Sequence, residues 1–214
     1  HRVDRRQRQM CIRDRLYDPN LPVDVYVDLG VDDYTVLLFV QWYRGEWRVI
    51  DEYWNNGYAL VHYLDYMVDE PYDIRAVRFP HDVKARELGN SGQGGIAKSR
   101  YDTVVEYKLE HSLQWRLDVL PRSSIENGIE AVRRIIPKMR VDTKCVYIID
   151  CLLNYSKEWD DKLACWKKTP KHDEYSHGAD TLRQLAANTV ESTGQHQSRL
   201  AKSGGKSTSR AFAI

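Results

Sequence analysis

A chain of 214 residues that is 42% hydrophobic is long enough for one domain with a real core, and six Trp and fourteen Tyr exclude a disordered polymer. The formal net charge of +1 leaves any polyanion to be held by a local patch or by metal. No apolar stretch approaches the ~18 residues of a membrane span and no signal peptide opens the chain. The four cysteines (Cys11, Cys145, Cys151, Cys165) form no CxxC pair, which argues against structural zinc and for reduced thiols.

Residues 1–15, "HRVDRRQRQMCIRDR", are dense in arginine and lack a period. They read either as a basic arm on nucleic acid or as a non-native or disordered leader resembling translated adapter sequence, and are left outside the fold. A domain is expected over 16–190, followed by a polar, disordered tail over 191–214. In "VDVYVDLG" the alternation of Val23, Val25 and Val27 predicts a strand with Tyr26 and Asp28 on its other face. "YTVLLFVQWY" and "EWRVIDEYW" predict two more strands, joined at Gly45 in an antiparallel meander. A helix follows, with Leu60, Val61, Leu64, Met67 and Val68 on one stripe, ended by Pro71. "DIRAVRF" is a fourth strand, "LGNSGQGG" a loop, "SRYDTVVEYKLEH" a helix and "QWRLDVLP" a fifth strand. Ser123 and Glu126 suggest a capping box opening a helix with Ile125, Ile129, Val132 and Ile136 at helical spacing. "KCVYIIDCLLNY" fits either strand or helix, the helix preferred through Cys145, Ile148, Leu152 and Tyr155. After an irregular segment, Ser176 can cap a last helix whose core face is Ala179, Leu182, Leu185 and Ala186. The order implies an α/β fold: a mixed five-stranded sheet, meander first and parallel strands after, with helices on both faces.

Three acids stand where such a fold gathers ligands. Asp28 ends the first strand, Asp82 follows the fourth strand in "RFPHDVKAR", and Asp180 lies in the first turns of the last helix. Singly they read as a turn former, a loop acid and an acid favoured by the helix dipole. If the three ends converge, carboxylates ~4 Å apart repel by ~4 kcal/mol at an effective dielectric of ~20. Such a cluster keeps protons, borrows basic side chains or binds metal. Oxygen donors suit Mg²⁺ or Mn²⁺, and two such ions favour phosphodiester hydrolysis.

The pieces "VDLGVDDYT", "EWRVIDEYWNNG", "RFPHDV", "SIENGIEAVRR" and "YSHGADTLR", in that order over residues 21–189, resemble the C-terminal nuclease domain of phage large terminase subunits, an RNase H-like fold. The resemblance implies that Asp28, Asp82 and Asp180 are the catalytic metal ligands; the mechanism expected from this has Asp28 shared by two ions and the others each holding one. It implies cleavage of concatemeric double-stranded DNA in genome packaging, in the host bacterial cytoplasm and not in the mature virion. It also implies an upstream ATPase domain, a small subunit and a portal ring as partners, and no membrane. Thr181 and Gln184 depart from the family's usual Ala and aromatic residue, which would disturb packing more than chemistry. "SGGKST" at 203–208 lacks the first glycine of a phosphate-binding loop, since position 200 is Leu200, and reads as a linker.

Around these acids, His177, Asp173 and Asp32 are candidates for the shell behind a metal, each also readable as a capping, packing or turn residue. His81 would point elsewhere in an extended segment. Lys98 and Arg100, and Lys167 and Lys168 with Lys171 beside Trp166, are candidate phosphate contacts on loops, or merely solvated charges. Asp51 and Glu52 are adjacent on a strand, so at most one faces a site, and neither is included. The alternatives are another RNase H-like nuclease of the resolvase or transposase type, and a non-catalytic module docking on DNA or portal. "SHGADTLR" together with "NGIEAVRR" disfavours the first, and three intact acids disfavour the second.

Overall fold

The computed structural model describes residues 12–30, 33–91, 97–160, 165–171 and 173–203. A short strand β1 (Ile12–Arg13) precedes the meander β2 (Val23–Asp28), β3 (Thr35–Tyr43) and β4 (Glu46–Asn55). Helix α1 (Leu60–Asp69) leads to β5 (Ile74–Phe79), a 3₁₀ turn over His81–Lys84, and a small hairpin of β6 (Arg86–Ser91) and β7 (Ala97–Ser99). Then come α2 (Arg100–Glu110), β8 (Arg116–Val119), α3 (Ile125–Ile135), β9 (Met139–Asp142) and α4 (Val146–Asn154). A second hairpin, β10 (Lys157–Asp160) and β11 (Cys165–Pro170), precedes the long helix α5 (Ser176–Ser203).

The main sheet has seven strands in the spatial order β1-β9-β4-β3-β2-β5-β8. β2, β3 and β4 pair antiparallel, whereas β5 joins β2, and β8 joins β5, in parallel. The β3–β4 turn places Arg44 and Gly45 at φ 48° and 85°. Two successive positive φ values match the twist of a two-residue hairpin, which is why glycine sits there.

The expected fold class is therefore observed, with corrections in detail. The sheet has seven strands and not five, because β9 and β1 extend it beyond β4 in parallel. β9 is only four residues long and carries Arg140 and Asp142, so its composition gives little strand signal. β1 lies within the stretch read as a leader, and the remainder of that stretch, with Cys11, is outside the described residues. The segment read as irregular before the last helix holds the β10–β11 hairpin, and the Gly-rich segment overlaps the end of β6 and is followed by β7. α5 runs to Ser203, past the expected boundary at 190, while 204–214, and with them most of "SGGKST", lie outside the described residues.

Burial on both faces fixes the architecture. On one face Val23, Val25, Val27, Leu37, Phe39 and Ile50 pack against Tyr63, Leu64 and Met67 of α1 and Val104 and Tyr107 of α2. On the other, Tyr26, Val36, Leu38, Val40 and Val49 meet α3, α4 and α5 through Ala131, Ile135, Ile148, Cys151, Leu182, Leu185 and Ala186. The core face expected for the last helix is all buried. The α1 stripe is rotated from the expected one: Tyr63 is buried, while Val61 and Val68 are exposed, because an aromatic ring buries more area than a valine. α3 likewise buries its small residues Gly128 and Ala131 with Ile135, and leaves Ile125 exposed. Its N-cap is Ser124, which accepts from the Asn127 amide at 3.2 Å, and not Ser123. The capping box predicted there occurs instead at α2, between Ser99 and Asp102. Among the described residues, no helix is long and apolar enough to cross a membrane, and Cys145, Cys151 and Cys165 are free thiols.

Candidate functional site

β2 and β5 run side by side in parallel, so their carboxyl ends open at the same edge of the sheet. In open α/β sheets that edge is where ligands bind. Asp28 is the last residue of β2. Pro80 ends β5 by withholding an amide, and the chain curls at once into the 3₁₀ turn, anchored by buried Val83, with Asp82 exposed on its outer side. β8 ends in the same way: the Leu120 amide bonds the Phe79 carbonyl at 2.9 Å, and Pro121 follows. Above this edge runs α5. His177, Asp180, Gln184 and Asn188 recur at helical spacing, and this stripe lies along β2. Gln184 Nε2 donates to Asp28 Oδ1 at 3.1 Å, and Asn188 Nδ2 donates to the Tyr26 hydroxyl at 3.1 Å.

Asp28, Asp82 and Asp180 consequently line one cavity of about 350 Å³, together with His81, Pro121, Arg122 and Gln184. Asp180 is paired by Arg183, one turn further along the helix. Burial raises the Asp180 pKa above the ordinary carboxylate value; Arg183 opposes that rise and the negative charge of Asp28 adds to it. His177 Nδ1 stands 3.8 Å from Asp28 Oδ2, and this interaction raises the histidine pKa against the opposing cost of burial. The site is thus acidic at its centre and held by basic and amide groups on the helix.

The donor set is suited in kind to a hard divalent cation: oxygen ligands on one concave surface, and a buried Gln184 Oε1 that has no hydrogen-bond partner among the described residues. As the side chains are posed, no three acidic, histidine or cysteine groups among the described residues are gathered tightly enough to enclose an ion. Asp180 is turned onto Arg183, and Asp28 is engaged by Gln184 and His177. The residues fit the ion in chemistry, and their pose is the charge-compensated one.

The other sequence candidates divide. His177 is at the site, against Asp28 and one helical turn from Asp180. Asp173 is not part of the cavity lining; it accepts from the Tyr175 amide at 3.1 Å and pairs with Lys171 at 3.4 Å, ordering the entry to α5. Asp32 is outside the described residues, as are the side chains of Lys167 and Lys168. Lys98 and Arg100 line a different cavity, of about 400 Å³, which shares Leu29 and Gly30 with the chain just beyond Asp28; Lys98 is paired with Glu106. His81, expected to point away, faces the acidic cavity because its segment is a 3₁₀ turn and not extended. Gln184, expected to affect packing more than chemistry, bonds Asp28 directly. Arg122 was missed; the shared pattern of "RFPHD" and "VLPRS", a strand closed by proline and then polar residues, is the signal that finds it.

Glu52, left out from sequence, is not at this cavity either. It accepts from the Tyr147 and Ile148 amides at 2.7 and 2.8 Å, satisfying free donors at the start of α4. Burial raises its pKa to about 7 despite those bonds.

No protein-family model matches the chain, and none of the curated proteins matches it by sequence. Solved structures do match. The large terminase of a thermophilic bacteriophage, in complex with ADP, aligns with a TM-score of 0.60 and 15% identity, over 84% of this chain and 42% of that one. The large terminase nuclease domain of bacteriophage P22 aligns at 0.58 and 14%, over 85% of this chain and 89% of that one. The nuclease domain of bacteriophage SPP1, solved with bound Mn, aligns at 0.57 and 13%, over 84% and 95%. The chain thus spans about two-fifths of the ADP-bound large terminase and nearly the whole of the isolated domains. Its fold is that of the phage large terminase nuclease domain, an RNase H-like mixed sheet covered on both faces.

Proposed function

We propose that this chain is a divalent-metal-dependent endodeoxyribonuclease that cleaves concatemeric double-stranded phage DNA during genome packaging. The observation that carries the reading is the meeting of Asp28, Asp82 and Asp180, from a strand, a turn and a helix, around one cavity at the carboxyl edge of the sheet. The likeness of fold to terminase nuclease domains, one of them solved with Mn, supports the same reading. Asp28, Asp82 and Asp180 would hold two Mg²⁺ or Mn²⁺ ions. When bound, such ions supply Lewis-acid activation of water and charge stabilisation at phosphorus.

The chain's own residues have separate tasks. The three carboxylates would hold the cations at the carboxyl edge of the sheet. His177, beside Asp28, orients that carboxylate, and Gln184 holds its other oxygen. Arg122 and His81, both exposed on the cavity rim, meet the DNA backbone as charge and hydrogen-bond donors, which positions a duplex without reading bases. Weak intrinsic sequence preference follows. The partners of this reading are double-stranded DNA, an ATPase domain, a small terminase subunit and a portal ring, and the setting is the host bacterial cytoplasm.

The test is incubation of supercoiled plasmid with the protein and Mn²⁺ or Mg²⁺, repeated with Asp82→Ala. Metal-dependent nicking and linearisation by the parent, abolished in the variant, is the expected result. Cleavage that survives Asp82→Ala removes the mechanism. A folded parent that binds DNA and never cuts it favours a docking module.

A further inference from the structure

Arg183 pairs with Asp180 across one helical turn, although its side chain is only 15% exposed and its Nε has no hydrogen-bond partner among the described residues. A long charged side chain at such a position ordinarily leans toward water. Here it is laid against α3, because residue 128 has no side chain. A Cβ built on Gly128 comes within 2.9 Å of Arg183 Cδ and 3.1 Å of its Cβ and Cγ. Glycine is a poor helix former, so its presence inside α3 calls for a reason of close approach. The stem of Arg183 is that reason. The "ENGIEA" stretch of α3 thereby acts on the acidic cavity without lining it with a carboxylate.

Resting on the metal-dependent reading of the cavity, we infer that Arg183, seated on Gly128, is a positioning residue that pairs with the Asp180 carboxylate and yields it to an incoming divalent cation. A guanidinium and a metal ion compete for the same oxygen lone pairs, so the contact that keeps the Asp180 carboxylate compensated also opposes loading of the site. The seat on α3 sets how firmly the guanidinium is held, and thereby the cation affinity at Asp180.

Mn²⁺ binding to the whole chain, measured by titration calorimetry and by loss of the free-Mn²⁺ electron paramagnetic signal, tests this without recourse to cleavage. The parent, Arg183→Met, Gly128→Ala and Asp180→Asn would be compared, with circular dichroism melts confirming that each is folded. Arg183→Met is expected to bind Mn²⁺ about 10-fold more tightly than the parent: groups touching a metal's ligands change affinity on this scale, and the sign is reversed here because this group competes with the ion for the carboxylate. Gly128→Ala, which keeps both charges and displaces the arginine stem, is expected to shift affinity in the same direction by less, and Asp180→Asn to weaken it. Should Gly128→Ala fail to fold, Arg183→Met alone decides. A parent that binds Mn²⁺, with Arg183→Met unchanged or weaker, overturns the role of Arg183 and leaves the metal reading standing. Binding by Arg183→Met and not by the parent supports it in its strongest form. Binding by neither overturns both.

Discussion

The two faces of β2 follow opposite rules. Val23, Val25 and Val27 look into an apolar layer closed by α1 and α2, where only volume and area matter. Asp24, Tyr26 and Asp28 look toward α3, α4 and α5, and each is matched by a specific polar partner: Asp24 by Arg75, Tyr26 by Asn188, Asp28 by Gln184. One face is tolerant and stabilising, and the other is specified residue by residue and ends in the acidic cavity. A single strand therefore carries both the core and the site, on alternate residues.

Substitutions can test that contrast. Phe39→Ala, in the apolar layer and fully buried, is expected to cost about 3–5 kcal/mol in urea unfolding, through lost transfer energy and an unfilled cavity. On the polar face, Asp24→Ala leaves Arg78, itself 7% exposed and 2.8 Å from that carboxylate, with only the longer 3.6 Å contact to Asp118 to compensate its charge; a loss of about 3 kcal/mol is expected by the same measurement. Asp24→Ala behaving like a surface substitution would mean that this face is not specified by pairing.

Glu52, on the polar side of β4, gives a dependence on pH. Its folded pKa is raised from 4.5 to about 7, so the folded chain binds this proton more tightly than the unfolded chain does. Stability from this group is fully present below about 4.5, falls as pH rises toward about 7, and stays reduced above it. Glu52→Gln removes that slope and still offers one acceptor to the start of α4. Its Tm is expected to exceed the parent's by a few degrees at pH 8, roughly the shift of a 1 kcal/mol change, and to match it near pH 4. A parent whose melting temperature is flat from pH 4 to pH 8 contradicts this.

Tyr26→Phe removes only the hydroxyl bonded by Asn188 and is expected to cost about 1 kcal/mol. Smallest of all in stability is Asp82→Ala. The residue is exposed, and its carboxylate makes no hydrogen bond or ion pair among the described residues, so a change within about 0.5 kcal/mol is expected while metal-dependent cleavage disappears. A large loss of stability at Asp82 would reveal a structural role in place of a functional one.

Much of the fold was legible because it rests on local pattern. The alternation in β2, the apolar run of β5, the spacing in α5 and the turn at Gly45 each follow from neighbouring residues alone. What escaped was short or relational. β1 has two residues and β9 four, too few for a period to show, and both exist because another strand offers them a partner. Ser123 and Ser124 are equivalent as letters, and only the path of α3 selects the second as its cap. Val61 and Val68 are as apolar as Leu64, yet the neighbours of α1 decided which flank of its stripe was covered.

The same division runs through the site. Residue type and position in the chain determined by themselves that Asp28, Asp82 and Asp180 end or open elements, since carboxylates at strand ends and helix starts follow local chemistry. Tertiary structure alone decided that these ends share one cavity, that Gln184 and His177 engage Asp28, and that Asp173 and Lys98 lie outside that cavity, whereas the Arg183–Asp180 pair, three residues apart on one helix, is local. The reason is physical: a side chain's reach and periodicity are set by its own backbone, whereas the partner it meets is set by chain segments up to 162 residues away, brought there by the burial of both faces of the sheet.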